Sequence, residues 1–191
     1  MSEWDESFRL AWPSTTQIIR YFGLMGDLEQ FSNTAAMRRG RLVTAACHLI
    51  AAEESLGNGW EERHPECAPY LAAYRKFMRE HEFTILEAEK EYRSEALRFI
   101  SHPDQIGMLD GKSPVDLELK SGSMPRWCNL QTAGQVLAIG NPMRRYALHL
   151  KVDGEYNLIP HEDYRDLDRF RAMVDVWWTV QEYTNGRNSD D

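Results

Sequence analysis

Ser101-His102-Pro103-Asp104-Gln105-Ile106-Gly107 and, beyond an Asp110-Gly111 pair, Val115-Asp116-Leu117-Glu118-Leu119-Lys120-Ser121-Gly122 decide how the chain folds. Gln105 to Leu109 and Val115 to Lys120 are apolar-rich runs of strand length, and Asp-Gly between two such runs is a strong hairpin signal. Alternate side chains of a strand share a face, so Asp116, Glu118 and Lys120 project one way and Leu117 and Leu119 the other. Alone, that alternation describes a strand with one solvated face. The hairpin changes its weight, because it carries Asp104, on the antiparallel arm, toward the end of the ribbon where Glu118 lies. Paired carboxylates suit a hard divalent cation, which takes oxygen ligands and keeps water positions for a phosphate. A lysine two residues after the glutamate stands beside such a cation, placed to orient a water or offset charge on phosphate oxygens. Asp110-Gly111-Lys112 offers the same acid-x-Lys spacing, but its Asp-Gly has a turn to make, so it is set aside.

Working outward, Pro13-Ser14-Thr15-Thr16 signals a helix start, with Ser14 or Thr15 as cap and an end near Phe22. Apolar residues at helical spacing predict helices from Thr34 to about Glu54 and from Pro69 to about Glu80. Phe83 to Tyr92 reads as one strand, with Glu87, Glu89 and Glu91 on one side and Leu86, Ala88 and Tyr92 on the other. Arg98 to Ser101 is a further short strand. Pro125 to about Ile139 is a helix ended by Gly140-Asn141-Pro142. Tyr146 to Val152 and Tyr156 to Ile159 form a second hairpin around Asp153-Gly154, and a last helix runs from about Asp163 to Thr184. The order predicts a mixed α/β layer: a single domain over 1–184, with 185–191 as a flexible tail.

Composition bounds the chemistry. The 191 residues are 42% hydrophobic and 27% charged, ordinary for a globular chain. A net charge of −8 argues against an unspecific nucleic-acid coat, but not against a nuclease whose carboxylates await a cation. The basic residues are mostly arginine and cluster at Arg38-Arg39-Arg41 and Arg144-Arg145; the guanidinium fork suits phosphate, while a solvated surface is the plainer account of either cluster alone. Cys47, Cys67 and Cys128 are too few and too scattered for a disulfide framework or a zinc knuckle. No apolar run reaches membrane-spanning length, and the acidic opening Met1-Ser2-Glu3-Trp4-Asp5 is unlike a secretion signal, so a cytoplasmic protein without membrane contact is expected. Neither a Walker phosphate loop nor a Gly-x-Ser-x-Gly elbow occurs, which points away from nucleotide hydrolysis and from a covalent serine.

With these residues in hand, "SHPDQIG" and "VDLELKSG" resemble the PD-(D/E)XK nuclease superfamily, and within it the RecB-type branch of phage exonucleases and CRISPR-adaptation nucleases. The resemblance implies a restriction-endonuclease-like mixed central sheet flanked by helices, with an N-terminal helical segment. It implies Mg²⁺ or Mn²⁺ held by Asp104, Glu118 and the Leu119 carbonyl, with Lys120 beside them. "WCNLQTAGQ" resembles that branch's glutamine motif, making Gln131 the polar residue that orients Lys120 or meets phosphate. An upstream acid is also implied: Glu89 on spacing, with Glu87 as its alternative. Where many members place a metal-binding histidine this chain has Thr44, with His48 one turn later, and where the motif has a later aromatic it has Gln135. Three cysteines cannot supply the four-cysteine iron–sulfur cluster of the CRISPR-adaptation type, so no cluster is expected. Arg38, Arg39, Arg41, Arg126 and Trp127 form the nucleic-acid-contacting set, with core closure the competing role for Trp127. The implied activity is hydrolysis of DNA phosphodiester bonds by an exonuclease of phage or bacterial DNA processing. A homo-oligomer, or a partner protein of recombination or defence, is left open. The competing expectation is a catalytically silent module of the same fold.

Overall fold

A computed structural model describes residues 12–26 and 34–185. The chain runs through helices α1 (Thr15–Tyr21), α2 (Thr34–Ala51) and α3 (Trp60–Arg63), a 3-10 turn (Pro65–Cys67) and helix α4 (Ala68–Glu80). Strands β1 (Phe83–Ala88), β2 (Tyr92–Ser94), β3 (Phe99–Ser101), β4 (Gln105–Leu109) and β5 (Pro114–Lys120) follow. Helix α5 (Cys128–Ile139), strands β6 (Arg144–Leu150) and β7 (Tyr156–Pro160) and helix α6 (Arg165–Asn185) complete it. The flexible tail is expected over 185–191; the last helix extends through Asn185, and 186–191 lie outside the described residues.

Five strands form one mixed sheet in the order β1-β4-β5-β6-β7. The β4–β5 hairpin turns at Asp110 and Gly111, both at positive φ (52° and 62°), and pairs Gln105 with Leu117 and Met108 with Pro114. From β5 the chain crosses over through α5 and returns as β6, parallel to β5 with Lys120 opposite His149. This makes β5 the middle strand, paired along both edges, and helices cover both of its faces. On one face Val115, Leu117 and Leu119 enter a core with Val43 and Cys47 of α2 and Leu71, Tyr74 and Phe77 of α4. The other face is covered by α5, and behind it α1 and α6 pack through Ile18, Ile19, Phe170, Val174 and Trp178. The mixed α/β sheet flanked by helices is therefore the architecture of the chain.

Local chemistry explains the main boundaries. Ser14 caps α1: its hydroxyl accepts from the Gln17 amide (3.2 Å) while the Gln17 side chain accepts from the Ser14 amide (2.7 Å). Thr15 is instead buried and hydrogen-bonded to Ser101 at 2.8 Å. Two expectations are corrected. The strand drawn from Phe83 to Tyr92 breaks at Ala88, because Glu89 takes a left-handed φ of 48° and a bulge between Ile85 and Glu87 shifts the register. Along β1 the alternation leaves Leu86 outward, 54% exposed, while Glu87, on the opposite face, is bonded to Tyr92 and Lys90. Tyr92–Ser94 pairs instead with Phe99–Ser101 in a separate two-stranded ribbon. Helix α5 also starts later than Pro125, after a turn in which the Cys128 amide donates to the Pro125 carbonyl at 3.1 Å. Of the adjacent tryptophans in α6, Trp178 packs inward and its indole N–H donates to the Leu97 and Arg98 carbonyls, both at 3.1 Å. Trp177, half-buried, lies edge-on to Tyr21.

Candidate active site

Asp104 is the residue just before β4, where that strand has not yet begun to offer backbone acceptors to β5. Its carboxylate supplies one, accepting from the Leu119 amide at 2.8 Å. The hairpin thus brings Asp104 to the end of β5 that carries Glu118 and Lys120. Burial, and then the neighbouring Glu118 charge, push the Asp104 carboxyl well above the ordinary carboxylate range.

Glu118 is 3% exposed, a position where a charge needs partners. It has three. Lys120 donates to Oε1 at 2.5 Å, Gln131 to the same oxygen at 2.6 Å, and Gln135 to Oε2 at 2.6 Å. Gln131 also accepts from Lys120 Nζ at 3.0 Å, and the ammonium sits 5.6 Å from the centre of the Trp127 ring. Burial acts most strongly, to lower the Lys120 pKa, but Glu118, Cys128 and Asp104 together outweigh it and the ammonium is held well above its usual range. Asp116, on the same face, is 0% exposed and neither carboxyl oxygen has a hydrogen-bond partner among the described residues. Burial, then Glu118, raises its carboxyl as well.

This end of β5 opens on a cleft of ≈ 620 Å³ bordered by Thr44, Glu89, Asp104, Glu118 and Lys120, with Arg39 and Arg41 arriving from α2. The two arginines therefore stand on the same cleft as the carboxylates. Arg39 also lies 5.2 Å from the centre of the Tyr70 ring. Arg38 is exposed on α2 and is not among the cleft residues, and Arg126 is exposed in the turn before α5. Trp127 is half-buried against the α1–α6 core with its ring beside Lys120, so it closes the site from below. Glu89 borders the cleft from the turn after β1. Its amide donates to the Pro103 and Asp104 carbonyls (3.2 and 3.3 Å), while its side chain is 64% exposed and 3.9 Å from His48 Nδ1. Glu87, its alternative, is turned away toward Lys90 and Tyr92. His102 is exposed and pairs with Glu91 at 3.4 Å, away from the carboxylates. Cys47, Cys67 and Cys128 are buried free thiols.

Sequence reasoning passed over Gln135 and the burial of Asp116. The signal for the first was available: Gln131 and Gln135 are one turn apart on α5 and share a face. The donor chemistry fits a hard divalent cation. Asp104, Glu118 and the Leu119 backbone border one cleft, and a cation among them would relieve the burial of two neighbouring carboxylates. Among the described residues no three His, Cys, Asp or Glu side chains converge, so the remaining ligands would be backbone oxygen and solvent.

No family model matches the chain, and no curated protein matches it. Among solved structures, it is similar to an alkaline exonuclease (LHK-Exo) from Laribacter hongkongensis, with a TM-score of 0.41 and 13% identity over 95% of this chain and 96% of that one. It is similar also to LHK-Exo in complex with dAMP, with a TM-score of 0.39 and 15% identity over 95% of this chain and 96% of that one.

Proposed function

We propose that the chain is a divalent-metal-dependent nuclease that hydrolyses DNA phosphodiester bonds. One observation carries the reading: Asp104, Glu118 and Lys120 meet at the head of a central strand, largely shielded from water, facing a cleft that two arginines enter. Groups of this kind are costly to bury and are kept where their charge does chemistry. The Leu119 amide fixes Asp104, and Gln131 and Gln135 fix Glu118, so both carboxylates are oriented before substrate arrives. A divalent cation bound there supplies Lewis-acid polarisation of the phosphate and of a water. Lys120, hydrogen-bonded to Glu118 and Gln131, orients the water and offsets charge on the phosphate oxygens. Arg39 and Arg41 receive the backbone of the strand, a task for which the guanidinium fork is suited. The sequence resemblance favours cleavage from DNA ends.

Incubating end-labelled linear and closed circular DNA with Mg²⁺ or Mn²⁺ tests both levels of the reading. Degradation of the linear form alone is expected, and Asp104→Ala and Lys120→Ala should abolish it while leaving the melting transition in place. Cleavage by either variant at the parental rate contradicts the assignment.

A second reading, a catalytically silent binding module, is favoured by one observation: both Glu118 oxygens are already engaged by internal donors. Calorimetric titration with Mn²⁺ separates the two, since a silent module takes up no metal at millimolar concentration.

A further inference from the structure

We propose that Gln135 is a positioning residue that sets the metal affinity of the centre by holding Glu118 Oε2; the inference rests on the nuclease reading above. A carboxylate offers about four lone-pair positions. Lys120 and Gln131 occupy Oε1, and among the described residues Gln135 alone, through its amide nitrogen at 2.6 Å, engages Oε2. One position on Oε2 is left, and Gln135 decides where it points. Without that bond the carboxylate is anchored through Oε1 only and can turn about it.

The amide shows that it is there for Glu118 and not for its own packing. Gln135 is 1% exposed, and its carbonyl oxygen is buried with no hydrogen-bond partner among the described residues. Only the NH₂ end can face a carboxylate, so the carbonyl end is necessarily turned away. An apolar side chain would fill the same space without leaving an oxygen unsatisfied. The helix leaves little freedom, because Gly134, the preceding residue, is packed directly against Thr15 and Phe170. Groups that hydrogen-bond a ligating carboxylate tune the metal without touching it, and their loss costs about 10- to 100-fold in affinity.

Gln135→Met keeps length and helix preference while removing the donor; Gln135→Asn keeps the amide but withdraws it by one methylene. Calorimetry with Mn²⁺, on the full chain without DNA, should show affinity falling about 10- to 100-fold in whichever variant keeps the parental melting transition. The Mn²⁺ concentration needed for half-maximal DNA cleavage should rise in step. A purely structural role would lower the melting temperature or the active fraction and leave affinity unchanged, and that result overturns the proposal. If the parent binds Mn²⁺ and cuts DNA while both variants match its affinity, the role of Gln135 fails alone. If the parent binds no Mn²⁺, the nuclease reading fails and takes the inference with it.

Discussion

Gly134→Ala sets two opposed effects against each other in the helix that holds Glu118. In an α-helix interior, alanine gains about 0.8–1.0 kcal/mol over glycine, so on backbone grounds the change stabilises. A Cβ at this position, however, would lie 2.6 Å from the Thr15 methyl and 2.7 and 3.0 Å from two Phe170 ring atoms. Neither neighbour can give easily. The Phe170 ring is fully buried and lies 5.3 Å from that of Phe99, and the Thr15 hydroxyl donates to Ser101 at 2.8 Å, which fixes its rotamer. Inserting a methyl into a filled core costs about 1–3 kcal/mol, and contacts this short on two sides belong in the upper half of that range. The net expectation is a loss of about 1–2 kcal/mol, or about 3–6 °C in melting temperature for a chain of this size. Thermal unfolding followed by circular dichroism reads it directly. Thr15→Ser removes the methyl and keeps the hydroxyl, so combining it with Gly134→Ala should recover at least about 0.5 kcal/mol beyond additivity. A Gly134→Ala protein that melts above the parent would refute the packing argument and leave helix propensity as the larger effect.

Asp104→Asn, expected to abolish cleavage, should stabilise the metal-free chain by about 1 kcal/mol at pH 8, since it removes a carboxylate that burial and Glu118 disfavour. The sign follows from Asp104 having its folded-state pKa raised: stability from binding that proton is fully present below the unfolded value of about 3.9 and is lost as pH rises toward the folded one. The gain over the parent should therefore widen from pH 5 to pH 8 in EDTA, and a variant that melts below the parent at pH 8 contradicts it. Tyr74→Phe removes the hydroxyl that donates to the buried Gln105 Oε1 at 3.0 Å and should cost about 1–2 kcal/mol in urea unfolding. Adding Gln105→Met should return most of that, since deleting both partners leaves no oxygen unsatisfied; a double variant as unstable as the single one counts against the bond.

What could be read from the chain before its structure was local. The period-two pattern of Val115 to Lys120 specifies which side chains share a face, and Asp110-Gly111 specifies the turn, because both depend on neighbours in sequence. Whether that face was wet or dry depended on α5, which the crossover between β5 and the parallel β6 lays over it. The same alternation would have suited an edge strand. The 83–92 segment misled for a related reason: its alternation is genuine through Ala88, but the left-handed backbone at Glu89 ends the strand there, and Tyr92–Ser94 pairs with Phe99–Ser101 instead. Gln135 was legible by spacing and was read only as a missing aromatic, since nothing local shows that a buried carboxylate lies across from it.

The division of β5 into two chemistries states what the fold gives up for its site. Val115, Leu117 and Leu119 build one core, and a second set of apolar residues at 116, 118 and 120 would have built another against α5. The chain places Asp116, Glu118 and Lys120 there instead, with the two acids at 0% and 3% exposure. Replacing buried ion pairs by packed hydrophobic residues is often neutral or stabilising by about 1–4 kcal/mol, so stability alone does not account for this choice. The Asp116 oxygens, with no partner among the described residues, make the point more sharply than the paired Glu118, because an unsatisfied buried acid contributes nothing to packing. A strand that breaks the rule of a dry core on one face while obeying it on the other supports the proposed metal centre at the broken face. That face ends in the cleft where Asp104 waits on the Leu119 amide.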